Sequence, residues 1–144
     1  TRALMALRLE KNWGAWALDF RPDFTAAESG LDIFINWNKD FIGKESSLIE
    51  KKQGVKKKLV TMIIDTKDID VTNDEAILKD NKCIGYITSG GYAHHVKKSM
   101  ALGYVPEKFS KHETALNVEI NGKLYSAHVT DRPLYDANGE KMRA

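Results

Sequence analysis

Apolar and polar positions alternate through the second half of the chain, and this pattern predicts a series of short β-strands. The predicted strands cover residues 59–64, 76–78, 84–89, 99–105, 116–120 and 124–129. Turn residues separate several of them, and Asn121-Gly122 is a strong signal for a type I′ hairpin. Short strands joined by hairpin turns favour a small closed antiparallel β-barrel of about six strands.

The stretch from Gly85 to Val105 joins two of these strands through a double glycine. Gly90 and Gly91 lack Cβ atoms, which suits either a sharp turn or the close approach of another segment. We expect the turn, with one strand on each side of it.

The first third of the chain shows helical spacing and turns instead. Its predicted elements are a short helix to about Lys11, a single helical turn at 25–28, an extended segment at 31–38, and a helix at 44–53 that Gly54 ends. Thr25 and Glu28 have the spacing of a capping box. We therefore expect a mainly β fold with short helices, in which a helical and extended linker (residues 1–55) precedes the barrel (residues 56–144).

Composition narrows the class of protein. A chain of 144 residues has room for one domain with a real core. The net charge of +2 is too small to indicate nucleic acid or a membrane surface as a partner, and no apolar run approaches the roughly 20 residues of a membrane span. Cys83 is the only cysteine, which favours a reducing compartment, and we expect a buried or half-buried thiol. The chain starts at Thr1 in what reads as the middle of a helix, so we expect a piece of a longer polypeptide.

The sequence motifs give little support for a metal-binding or nucleotide-binding site. His94 and His95 are adjacent, so on a strand they would face opposite sides, and no Cys, Asp or Glu lies at a ligand-like spacing beside them. We expect a solvent-facing pair and no metal site. The chain contains no Walker loop, dinucleotide fingerprint or Gly-x-Ser-x-Gly motif, and we assign no catalytic residue in it.

One polar and aromatic cluster is of interest near the start of the chain. Arg8 can hold a carboxylate through two hydrogen bonds, and the indole of Trp16 can pack against a flat heterocycle. Glu10 and Trp13 lie close by in sequence. The alternative is structural: Arg8 and Glu10 pair with the backbone or with each other at a domain junction, and the tryptophans fill a core.

Three ordered segments resemble the C-terminal part of the aminomethyltransferase family, which includes the glycine cleavage T-protein. The segments are Leu7–Lys11 followed by Trp16 and Asp19, then Thr25–Leu31 with Lys39–Glu45, and finally Gly85–Val105. Trp16 and the run Arg132–Asp136 look most like the folate-binding portion of dimethylglycine and sarcosine dehydrogenases, which follows a flavin oxidase region. The chain departs from the family pattern with Asn12 and Ala17 in place of glycines and Ala26 in place of proline.

The resemblance implies transfer of a one-carbon unit from an aminomethyl or N-methyl carrier to tetrahydrofolate, giving 5,10-methylenetetrahydrofolate. It also implies that the main folate-binding domain lies upstream of Thr1, so that residues 1–55 would form its edge. By residue matching, Arg8 is the candidate for polar contact with the folate and Trp16 for packing beside its ring, with Tyr135 a weaker candidate. Glu10 is expected to orient Arg8. We expect no turnover from these 144 residues alone.

Further partners depend on what precedes the chain. A dinucleotide fingerprint upstream would imply FAD and a flavin dehydrogenase. A chain with only a folate domain would imply a T-protein or a related demethylase, and a T-protein would have a lipoyl carrier protein as partner. The family habit implies the cytoplasm, or the mitochondrial matrix in a eukaryote. The alternative function is a non-catalytic β-barrel interaction module that docks a neighbouring domain or a partner protein.

Overall fold

The computed structural model describes residues 2–144 and combines a six-stranded barrel with short helices. The helices are α1 (Arg2–Glu10), α2 (Lys44–Gln53) and α3 (Glu140–Arg143), with 3-10 turns at Asp32–Phe34 and Glu107–Phe109. The strands are β1 (Lys57–Ile64), β2 (Ala76–Lys79), β3 (Lys82–Ala93), β4 (Lys98–Pro106), β5 (Ala115–Ile120) and β6 (Lys123–Thr130). The predicted helix near the start and the predicted helix at 44–53 are both confirmed.

The six strands close into an antiparallel barrel in the order β1-β4-β3-β2-β5-β6. This confirms the predicted mainly β fold. Alternate side chains of each strand point inward, because successive residues of a strand face opposite sides of the sheet. They form one apolar core that includes Val60, Met62, Ile64, Ile77, Ile87, Val105, Leu116, Val118, Ile120 and Val129.

The predicted hairpin turn at Asn121-Gly122 and a second turn between β2 and β3 both have positive φ at their central residues. Asn121 and Gly122, between β5 and β6, have φ values of 49° and 76°. Asp80 and Asn81, between β2 and β3, have φ values of 51° and 60°. Type I′ turns need positive φ at both central residues, which glycine, asparagine and aspartate tolerate best.

The expected turn at the double glycine is wrong. β3 runs without interruption through Gly90 and Gly91, and the chain reverses later, at residues 94–97. The glycines serve the other purpose, a close approach. A Cβ atom on Gly90 would lie 2.6 Å from Cγ1 and 2.9 Å from the carbonyl oxygen of Val71, a buried residue of the loop before β2.

The outer face of β3 and β4 is covered by the beginning of the chain. Met100, Leu102 and Tyr104 point away from the barrel interior and are nevertheless buried. The ring of Phe24 stacks on that of Tyr104, with centroids 3.4 Å apart and planes 8° from parallel. Leu9 of α1 is also buried, and its side chain lies 3.8 Å from the position a Cβ would take on Gly91. We call residues 2–31 the cover layer.

After the cover layer, the predicted extended segment at 31–38 is wrong over Asp32–Phe34. A 3-10 turn occupies Asp32–Phe34, because the amides of Phe34 and Ile35 bond to the carbonyls of Leu31 and Asp32 instead of to a neighbouring strand. By contrast, the capping box at Thr25 is confirmed. Its hydroxyl accepts from the amide of Glu28, whose carboxylate accepts from the amide of Thr25.

Cys83 is exposed, so the prediction of a buried thiol is wrong. Its Sγ lies 3.4 Å from the carbonyl oxygen of Gly85. Cys83 stands one residue into β3, beside the β2–β3 turn, where the apolar neighbour Ile84 gives no information about which side faces solvent.

Candidate functional site

Arg8 and Asp19 form a buried ion pair at the centre of the cover layer. Nη1 of Arg8 lies 2.8 Å from Oδ2 of Asp19 and also donates to the carbonyl of Trp13 at 3.1 Å. Asp19 is 0% exposed and Arg8 is 9% exposed. Nη2 of Arg8 is buried without a hydrogen-bond partner among residues 2–144. Buried polar atoms are nearly always paired, so this donor is the one part of the guanidinium whose partner is missing from the described residues.

Asp19 collects donors from three further groups. Its Oδ1 accepts hydrogen bonds from the hydroxyls of Thr88 and Ser89, the latter at 2.6 Å. Its Oδ2 also accepts from the amide of Ala15 at 2.7 Å. Hydrogen bonds to a charged acceptor are among the stronger ones in proteins, so this carboxylate ties α1, the 13–20 loop and β3 together.

Tyr104 extends the same network through the backbone. Its hydroxyl donates to the carbonyl of Asp19 at 2.9 Å and lies 2.8 Å from the hydroxyl of Ser29. Burial raises the pKa of Tyr104 to about 12, since a phenolate in this position would be poorly solvated. The phenol is therefore protonated over the physiological pH range.

Trp16 lies on the surface beside this network. Its side chain is 78% exposed, and its ring contacts Phe20 edge to face with centroids 5.5 Å apart. Phe20 contacts Trp13, and Trp13 contacts Phe34, each with centroids 6.2 Å apart. We call these four residues the aromatic patch. The tryptophans do not fill a core, which removes that half of the structural alternative.

Glu10 does not contact Arg8. Its carboxylate accepts from the amide of His95 at 2.6 Å and lies 2.8 Å from Nδ1 of the same residue, and it is 1% exposed. It therefore holds the β3–β4 turn, and the group that orients Arg8 is Asp19. His95 is exposed, as predicted, but one side of its ring is used by Glu10.

Tyr135 belongs to this second cluster. Its ring lies 4.4 Å from that of His95, its amide donates to the carbonyl of Glu10, and Nζ of Lys141 lies 4.8 Å from its ring centroid. Next to it, Asp136 pairs with Lys11. Burial opposes ionisation there, but the backbone N–H of Lys141 and the ammonium of Lys11 outweigh it and lower the pKa of Asp136.

The structure thus places the four predicted residues in two groups that meet at the end of α1. Arg8 and Trp16 share the Asp19 network, whereas Glu10 and Tyr135 share His95. The sequence reasoning missed the central role of Asp19. A signal existed, because Asp19 ends the first family-like segment and Thr88-Ser89 lies in the third.

A cavity separate from both clusters is formed mainly by residues 25–58. Its volume is about 870 Å³, and it is lined by Ile33, Trp37, Glu50 and Lys58, among others, and by none of the predicted site residues. Residues 2–144 contain no group of three or more His, Cys, Asp or Glu residues placed to hold a metal ion. Within the same residues, no helix is long and apolar enough to cross a membrane.

Comparison with known proteins shows which family shares this architecture. The family model for the glycine cleavage T-protein C-terminal barrel domain matches residues 57–136. The chain is 40% identical over 136 residues to the mitochondrial dimethylglycine dehydrogenase of Homo sapiens, a match that covers 93% of this chain and 16% of that protein. It is 37% identical over 134 residues to an aminomethyltransferase of a Picosynechococcus strain, covering 92% of this chain and 37% of that protein.

A solved structure agrees with the sequence matches. The glycine cleavage system aminomethyltransferase T from Bartonella henselae superposes with a TM-score of 0.85 at 25% identity, covering 94% of this chain and 38% of that one. The chain therefore spans well under half the length of each of these relatives. The resemblance drawn from the three motifs is confirmed, and the chain belongs to the family of glycine cleavage T-protein C-terminal barrel domains.

Proposed function

We propose that this chain is the C-terminal part of a tetrahydrofolate-dependent one-carbon transferase and forms one wall of its folate site. The full-length protein is either an aminomethyltransferase of the T-protein type or a dimethylglycine or sarcosine dehydrogenase whose folate module includes this chain. The observation that carries the proposal is the exposure of Trp16 beside a guanidinium that is fixed in place, with one donor that has no partner in the part of the chain that the structure describes.

The two residues would act differently on the folate. The indole of Trp16 would offer a flat apolar face to the pterin or benzoyl ring, and its edge-to-face contact with Phe20 would hold it in place. Nη1 of Arg8 is used by Asp19 and Trp13. Its Nε lies 3.5 Å from the sulfur of Met5, so Nη2 is the donor that Arg8 would offer. Arg8 is thus a single-donor contact and not the two-pronged carboxylate clamp that its type alone suggested.

Tyr135 is proposed as a contact at the edge of the same wall. Its ring is held between His95 and Lys141, and its backbone bonds to the last residue of α1. It therefore lies next to the segment that carries Arg8.

The rest of the site is proposed to come from a preceding domain of the same polypeptide. Large apolar side chains are exposed along the first third of the chain: Leu4, Leu7, Trp13, Trp16, Leu18, Ile33, Phe34, Phe41, Ile42, Leu48 and Ile49. So many exposed large apolar side chains in one part of the chain are typical of an interaction surface. The folate-binding domain, whose edge residues 1–55 would form, is the proposed occupant.

Cofactors and compartment follow the two full-length alternatives. FAD would serve a dehydrogenase in a region before the folate domain, and a lipoyl carrier protein would bring the aminomethyl group to a T-protein. The cytoplasm or the mitochondrial matrix is the proposed location. The 144 residues alone are proposed to be inactive, and methylenetetrahydrofolate formation by this fragment would contradict that part.

A titration of the full-length protein with tetrahydrofolate tests the proposal. Trp16→Ala is expected to weaken binding by about tenfold, because the apolar and aromatic contact of one indole is worth on the order of 1 kcal/mol or more. Tyr92→Ala is the matched control, since Tyr92 is an exposed aromatic residue of β3 outside the aromatic patch. Equal affinity of the Trp16→Ala variant and the unmodified protein would overturn the folate wall.

That outcome would favour the second candidate function, a non-catalytic barrel that docks a neighbouring domain. The observation behind it is the same exposed apolar surface on residues 4–49. In that case Trp16→Ala would leave folate affinity intact and would loosen the association between this chain and the preceding domain, which limited proteolysis at the junction would report.

A further inference from the structure

We infer that Asp19 is a positioning residue for both folate-contacting groups, Arg8 and the loop that carries Trp16. This inference rests on the proposed function. Asp19 makes no contact with the outside, because it is completely buried, so any effect on the ligand must pass through the groups that it holds.

The geometry shows how one carboxylate controls two groups. Oδ2 accepts from Nη1 of Arg8 and from the amide of Ala15, the residue directly before Trp16. The carbonyl of Ala15 in turn accepts from the amides of Asp19 and Phe20. Both backbone polar groups of Ala15 are therefore tied to residues 19 and 20, and the loop between them is closed on itself with Trp16 on its outer side.

The carboxylate is itself held by the barrel. Oδ1 accepts from the hydroxyls of Thr88 and Ser89, which stand on β3, a strand that is hydrogen-bonded to β2 and β4 on its two sides in the closed barrel. A surface loop without such an anchor would sample many conformations and would lose entropy on binding a ligand. Asp19 transfers the rigidity of β3 to a loop whose aromatic side chain is exposed.

Two substitutions grade the loss of these links. Asp19→Asn keeps the size of the side chain and an oxygen that can accept from both Ala15 and Arg8, but it removes the negative charge that pairs with Arg8. Asp19→Ala removes the charge and both hydrogen bonds. We expect the tetrahydrofolate affinity of the full-length protein to fall about tenfold for Asp19→Asn and further for Asp19→Ala, and the difference between the two variants measures what the remaining hydrogen bonds contribute.

A double-mutant cycle supplies a measurement that a merely structural role would not move. If Asp19 acts through Trp16, the affinity loss of Asp19→Asn combined with Trp16→Ala is smaller than the product of the two single losses. A product of the two losses would overturn the inference. Val118→Ala, which removes two methyl groups from the barrel interior, controls for general destabilisation and is expected to leave affinity unchanged.

Ser89→Ala keeps the test informative if the Asp19 variants do not fold. It removes one of the two hydroxyl donors to Oδ1, and amide exchange at residues 13–19 is expected to accelerate while that of β5 and β6 stays as it was. Unchanged exchange in the loop would overturn the positioning role. The proposed folate wall fails separately, since it fails only if Trp16→Ala by itself leaves the affinity unaltered.

Discussion

The buried ion pair between Arg8 and Asp19 makes a strong prediction for stability. Arg8→Met keeps a long, flexible side chain on α1 but removes the positive charge. Asp19 would then be a buried carboxylate with two hydroxyls and one amide as its remaining partners. Breaking a buried pair by removing one partner typically costs about 3–5 kcal/mol, because the other charge is left uncompensated.

Amide hydrogen exchange measures this loss of stability locally, in the segments that the ion pair joins. Since about 1.4 kcal/mol corresponds to a factor of ten in an equilibrium constant, opening of the cover layer should become about a hundredfold to a few thousandfold more frequent. Peptides of the full-length protein from α1, the 13–20 loop and β3 should exchange faster by that factor. Arg2→Met is the matched control, because Arg2 is an exposed arginine on the same helix.

The result that would refute the reasoning is equal exchange in the two variants. It would mean that the carboxylate of Asp19 is accommodated without Arg8, by water or by protonation, and that the pair contributes little to holding α1 against β3. Arg8→Lys should fall between the two, since an ammonium keeps the charge and loses the guanidinium geometry that reaches both Asp19 and Trp13.

Four shorter predictions follow from individual positions. Gly90→Ala should lower the free energy of unfolding by about 1–3 kcal/mol in chemical denaturation, because its Cβ would collide with the side chain of Val71. Adding Val71→Ala should restore only part of the loss, since the carbonyl oxygen of residue 71 is also too close. Ala17→Gly should raise it by about 1 kcal/mol in the same assay, because Ala17 has a φ of 65°. Tyr104 stabilises the fold fully below the ordinary tyrosine pKa, and this contribution should be lost as the pH rises from about 10 to about 12, which tyrosinate absorbance and unfolding at alkaline pH would show together. The carboxylate form of Asp136 stabilises the packing of residues 131–144 against α1, and this contribution is fully present above the ordinary aspartate pKa because the pKa of Asp136 is lowered in the fold. Proteolysis of residues 131–144 should therefore accelerate as the pH falls through the lowered value.

Local patterns predicted the elements whose causes are local. The helix at 44–53 and its end at Gly54, the capping box at Thr25 and the hairpin at Asn121-Gly122 all depend on residues within a few positions of each other. The chain's departures from the family pattern at Asn12 and Ala17 also have a local meaning, since both stand at positive φ, where glycine would be unstrained.

The errors share a different cause, which is contact between distant segments. Gly90 reads as a turn because a sequence does not show that Val71 approaches it. Glu10 was expected to orient Arg8 from its neighbouring position, but the two side chains leave α1 toward different partners, 85 and 11 residues away. The role of Asp19 has the same cause: no local pattern indicates it, because Thr88 and Ser89 lie about 70 positions later, and only the family-like segments mark these residues.

The cover layer has a practical consequence for anyone shortening this protein. The family match and the first barrel strand both begin at residue 57, so this residue suggests itself as the boundary of a truncated protein. Such a truncation would strip the outer face of β4 and expose Met100, Leu102 and Tyr104 as an apolar stripe. The shortened barrel would then be prone to self-association, and residues 2–31 are better regarded as part of the unit that should be expressed.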